Sequence, residues 1–164
     1  MAISSAVFYG GAAWLLALAA EAISVASLSK LHNDCNDSVA FELADGSCAD
    51  SFRPTWWALM FQLAVLAAIL AVACLKWIRF FRVALVFMLV MAASVVMDQA
   101  EATLAGRDAR RWREIESKEE AFDGMLAGLI LLSVADWVMV FVIGTMGLAR
   151  AKGVPRPGLA QAAE

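Results

Sequence analysis

Residues 54–75 form an unbroken run of 22 residues without a charge, closed by Arg53 on one side and Lys76 on the other. About 20 apolar residues in a helix cross a hydrocarbon core roughly 30 Å thick, so this run is long enough to span a bilayer. Lipid offers no partners to a backbone, and a segment of this kind must therefore satisfy its own hydrogen bonds as a helix. Three further stretches have the same character. Residues 2–29 are uncharged but for Glu21, and residues 124–149 are uncharged but for Asp136. Residues 83–97 are uncharged and run on through Asp98, Glu101 and Ala105 until Gly106 interrupts the helix formers. With 62% of the chain hydrophobic and only 18% charged, lipid rather than water is the expected surrounding. The net charge of -3 lacks the basic footprint of a nucleic-acid binder.

The chain reads as one all-α membrane domain over residues 1–164, a four-transmembrane-helix bundle with antiparallel up-down topology and both termini on the same side. Helices are expected near 4–30, 54–78, 80–105 and 120–149, outer loops at 31–53 and 106–119, and a tail at 150–164. Residues 14–20, with Ala17-Leu18-Ala19, imitate a signal-peptide cleavage region. No basic n-region precedes them, so the segment is expected to stay as a membrane helix. The joint at 76–82 holds Lys76, Arg79 and Arg82 with no acid, and the tail adds Arg150, Lys152 and Arg156. Such basic segments mark the cytoplasmic face. With Lys30 at the edge of the first loop, the outer side carries seven basic residues, so the bare count is nearly tied. Their concentration of acids, and a cysteine pair, favour both termini inside and a plasma-membrane location. Trp56, Trp57 and Trp77 sit where interfacial aromatic belts lie.

In the first loop, Cys35 and Cys48 stand among Asp34, Asp37, Glu42, Asp45 and Asp50. A disulfide between them would close a loop of a dozen intervening residues and contribute about 3 kcal/mol in the chain-entropy model; two free thiols are the alternative. A zinc site from His32, Asp34, Cys35 and Cys48 lacks a tight ligand pair, and no metal is expected. His32, the single histidine, reads as a solvated surface residue. The last loop has the pattern of a charged helix, with Arg110 to Glu114 and Glu114 to Lys118 as i,i+4 pairs. It is either a solvated hairpin or a partner-docking surface built on Arg110, Trp112, Arg113 and Ile115, with Trp112 as anchor. Cys74 is placed where a reversible acyl chain could attach, although packing is the expected role.

Ionisable groups in hydrocarbon are costly and point to function. The helical rise puts Glu21, Gln62, Asp98 and Asp136 in one slab about 17 to 22 Å from the cytoplasmic boundary. Small and polar neighbours accompany them: Gly10, Ala13, Ala17 and Ser24 on the Glu21 face, Ser94 beside Asp98, and Ser133 beside Asp136. These faces are expected to meet inside the bundle as a polar cluster, with Gly124 and Gly128 as a small-xxx-small packing pair. No Lys or Arg lies at that depth, which favours protonated carboxyls acting as interhelical glue, or else a cation site, a proton site, or a socket for a partner's basic residue.

Four helices, termini on one side, the short basic joint and Asp98 in the third helix resemble the MARVEL-type tetraspan proteins, including the Casparian-strip-like membrane proteins. The polar pair of that group is an arginine in the first helix and an aspartate in the third; Asp98 matches the second member and Glu21 stands in place of the first. The resemblance implies a non-enzymatic membrane-organising scaffold that self-associates laterally. The leading expectation is therefore a scaffold or an accessory subunit of a larger membrane complex, with lipid, other membrane subunits or further copies of itself as partners and no nucleic acid. The alternative is a cation or proton transport or channel component using the intramembrane carboxylates. No nucleophile stands beside a base, so no enzyme is expected, and no cofactor beyond bound lipid.

Overall fold

The computed structural model describes residues 2–36, 48–107 and 117–145. They form four helices: α1 (Ala2–Asn36), α2 (Cys48–Cys74), α3 (Ile78–Arg107) and α4 (Ser117–Thr145). Each contains a segment long and apolar enough to cross a bilayer: Phe8–Cys35, Phe52–Cys74, Phe80–Ala105 and Glu119–Thr145. The chain is an integral, multi-pass, four-helix membrane protein, and no strand occurs among the described residues.

The helix ends differ from the sequence expectation for local reasons. α1 continues past Lys30 because Leu28, Leu31 and Cys35, spaced three and four apart, stay buried on one face. α2 begins ahead of Pro54, which lies inside it. A proline there gives up one intrahelical bond, to the carbonyl of Asp50, so the extra turn that buries Phe52 survives.

The α2–α3 joint is tighter than the basic stretch suggested, and residues 78–82 belong to α3. Lys76 adopts a left-handed backbone with φ of 57°. Its N–H donates to the Ala73 carbonyl and the Trp77 N–H donates to the Val72 carbonyl, both at 3.0 Å. This bond pair is the Schellman closure of a helix C-terminus. The Trp77 carbonyl then accepts from Phe80 and Phe81 at 2.9 and 3.3 Å, which starts α3 at once. Trp77 stacks on Phe81 with ring centroids 6.2 Å apart, and both are exposed.

Around the bundle each helix packs on two neighbours in the cyclic order α1, α2, α3, α4, so α2 and α4 stand diagonally. We call the end that carries the α2–α3 joint the terminal end and the opposite one the loop end. The α1–α4 seam is the most extensive, followed by α3–α4; both seams made by α2 are much smaller. Glycines explain the tight seam. A Cβ built on Gly128 would meet the Oγ of Ser24 and would lie 3.1 Å from both the Ala20 carbonyl oxygen and the Ser24 nitrogen. One on Gly124 would lie 2.7 Å from the Ser27 Oγ. The backbones approach closely only because these positions lack side chains.

Candidate functional site

Gly128 facing Ser24, and Gly10 facing Val142, fix an antiparallel register along the α1–α4 seam. In that register Glu21 is about five residues, or about 7.5 Å, toward the loop end from Asp136. Side chains on a helix lean toward its N-terminus. Glu21 on α1 therefore leans toward the terminal end and Asp136 on α4 toward the loop end, and the two acids converge.

Gln62 reaches the same site from α2. Its Nε2 donates to Oδ1 of Asp136 at 2.7 Å, and both residues are fully buried. Since α2 and α4 are diagonal in the ring, this bond crosses the middle of the bundle and places the cluster on its axis. Ser24 and Ser133, each one helical turn from an acid, are buried beside it. Ser24 Oγ donates back to the Ala20 carbonyl at 3.0 Å. Among the described residues, Glu21 Oε2, Gln62 Oε1 and Asp136 Oδ2 are buried without a hydrogen-bond partner.

Asp98 and Ser94 do not join this cluster, contrary to the sequence expectation. Both are exposed, and Ser94 Oγ donates to the Val90 carbonyl of its own helix at 2.9 Å. The inward face of α3 is Leu85, Leu89, Ala92, Val96, Ala100 and Thr103. Ser94 and Asp98 are each two positions, about 200°, from members of that face. The depth also differs. Thr55 Oγ1 donates to Gln99 Oε1 at 2.9 Å and sets the α2–α3 register. Gln62 is seven residues further along α2 and Asp98 is one short of Gln99, so Asp98 lies about six residues, or about 9 Å, nearer the loop end than Gln62.

Other expected positions fare variously. Gly10, Ala13, Ala17, Glu21 and Ser24 do share the packed side of α1. Cys74, expected to pack, is exposed at the end of α2. His32, expected in solvent, is half-buried, with its ring edge-on to Phe52 at 6.1 Å and a buried Nδ1 that has no partner among the described residues. Cys35 is buried, while the side chain of Cys48 lies outside the described residues. Arg110, Trp112, Arg113 and Ile115 also lie outside them. Sequence reasoning missed two interhelical bonds, Thr55 to Gln99 and Trp14 Nε1 to the Leu66 carbonyl at 3.0 Å. A hydroxyl, an amide and an indole N–H inside apolar runs were the available signals.

Among the described residues no group of three or more His, Cys, Asp or Glu is arranged to hold a metal ion. The cluster is instead a small, acceptor-rich polar centre inside an apolar bundle. No family model and no curated protein matches the chain. In fold it is similar to the LCI1 channel of Chlamydomonas reinhardtii, known from a crystal structure, with a TM-score of 0.65 and 20% sequence identity over 86% of this chain and 96% of that one. At that identity the likeness is one of fold.

Proposed function

We propose that this protein is a channel or transport component for a cation or proton, with Glu21, Gln62 and Asp136 as the point of transit through the bundle. The carrying observation is the pair of buried carboxyls on the bundle axis, converging from α1 and α4 without a basic side chain among the described residues at their depth. Ionisable groups buried in hydrocarbon are costly, which favours a role in taking up an ion over a purely structural one. Layout alone supported the scaffold reading and the MARVEL-type resemblance. The same four-helix layout is found in a protein described as a channel, so layout no longer favours the scaffold. In this reading Lys76 and Arg82 put the terminal end on the cytoplasmic side.

The test is flux in liposomes reconstituted with the full chain, following proton and alkali-cation movement separately. Wild-type protein is expected to carry one of them above the empty-liposome rate. Glu21→Gln and Asp136→Asn should abolish that flux, and Asp98→Asn should preserve it. No flux from folded wild-type protein would refute the proposal and return the scaffold or accessory-subunit reading to first place.

A further inference from the structure

The hydrogen-bond count at the axial cluster identifies what it lacks. Gln62 spends one N–H on Asp136 Oδ1, and Glu21 Oε2, Gln62 Oε1 and Asp136 Oδ2 remain as buried acceptors with no donor among the described residues. No neighbouring element supplies one. On α1, Ser24 directs its proton to its own helix. At the level of Gln62, the Thr55–Gln99 register brings up Ala92 and Ala93 of α3, which have no polar atoms in their side chains. On α4, Ser133 is one turn from Asp136, and no Lys or Arg among the described residues lies at this depth. An ionised carboxylate only accepts, so two of them with the Gln62 oxygen leave a centre deficient in protons.

Resting on the transit reading above, we propose that Glu21 and Asp136 form a proton-binding pair that holds at least one proton in the sealed bundle, and that the species this site takes is the proton rather than a metal cation. When a proton binds, an O–H bond forms on one carboxylate oxygen. One negative charge is lost, nothing is oxidised or reduced, and one orphan acceptor becomes a donor. A metal ion would satisfy the same oxygens less well. Hard divalent cations take six to eight oxygen ligands, whereas beyond the Ser24 and Ser133 hydroxyls the buried side chains one turn away are Leu59, Leu66, Leu89 and Leu132. A hydrated ion would also have to pass buried apolar side chains in both directions: Leu28, Phe52 and Met125 toward the loop end, and Ile69, Leu85 and Met139 toward the terminal end.

Infrared spectroscopy of the full chain in lipid nanodiscs tests this directly. At roughly pH 8 exposed carboxyls are ionised, so a protonated-carboxyl C=O band must come from buried acids. The wild type should show that band, shifted in D2O and unmoved when Na+ replaces K+ or choline. Asp98→Asn should leave it intact, Glu21→Gln and Asp136→Asn should each shift or weaken it, and the double variant should lose it. A wild-type spectrum without the band overturns the proposal, as does a carboxylate band that moves with Na+ or a C=O band that survives in a folded double variant. The wild-type measurement decides the matter even where a variant does not fold. A band without liposome flux would sink the transit reading and leave the proton pair standing; alkali-cation flux without a band would do the reverse.

Discussion

Gly128→Ala is the sharpest perturbation of the fold. The added methyl would meet Ser24 Oγ and would also lie 3.1 Å from the Ala20 carbonyl oxygen and the Ser24 nitrogen. A hydroxyl can rotate away; two backbone atoms of a helix cannot, and so α1 must shift outward along its largest seam. Overpacking of this kind costs about 1–3 kcal/mol, against about 1 kcal/mol gained from replacing a helical glycine by alanine. Taking the middle of that range, we expect a net loss of about 1 kcal/mol, a factor of roughly 5 in the unfolding equilibrium. Gly124→Ala is the matched comparison, because its nearest neighbours are Oγ and Cβ of Ser27 at 2.7 and 3.7 Å, both side-chain atoms. There the rotamer can move and the balance should be near zero. Gly11→Ala, with nothing within 4 Å, should be neutral or stabilising. Reversible unfolding in mixed micelles, followed by helicity, gives the three values on one scale. If Gly128→Ala is as stable as wild type, or Gly124→Ala is the more damaged, close backbone approach does not explain the α1–α4 seam.

Four more outcomes follow from the same geometry. Gln62→Leu removes the donor to Asp136 and should cost about 1–3 kcal/mol in the same unfolding assay. Asp98→Asn, at an exposed site away from the axis, should change stability by less than about 0.5 kcal/mol. Lys76→Gly should stabilise by about 1 kcal/mol, because glycine adopts the left-handed backbone without the penalty a Cβ incurs. Cys35→Ser should lower stability by about 3 kcal/mol if the expected Cys35–Cys48 disulfide forms, and intact mass before and after reduction, with thiol labelling, would detect that bond in the wild type.

The sequence made the crossings legible because length and hydropathy alone decide them in lipid. It was poor at telling inside from outside, since lipid-facing side chains are as apolar as core ones: Phe87 and Phe141 are well exposed while Leu89 and Leu129 are fully buried. Only small and polar residues broke that degeneracy. The run of Ala13, Ala17, Glu21 and Ser24 marked the packed face of α1, and Gly124 with Gly128 marked the side of α4 that meets it. Asp98 falls outside the cluster because α3 starts at Ile78, directly after the turn, and not at the first uncharged residue Val83. Gln62 is 14 positions before Lys76 and Asp98 is 22 after it, so the two are not level. Thr55 and Gln99, at 21 and 23 positions, are nearly level, and these are the two that bond.

The seams of the bundle are unequal in a way that bears on the axial site. α4 is held on both sides by extensive packing, with glycines admitting α1 to backbone contact. α2 has the smallest seams and is tied by three directional bonds at three depths: Thr55 to Gln99, Gln62 to Asp136, and the Leu66 carbonyl to Trp14. Interhelical hydrogen bonds in membranes average about 0.6 kcal/mol, so the three together contribute about 2 kcal/mol. In the transit reading proposed above, displacing α2 would be the least costly way to open the axis, and the middle tie is the one made by Asp136. A change of charge on that carboxyl alters the strength of the bond it accepts from Gln62. It therefore acts on the helix that has the least packing to resist it.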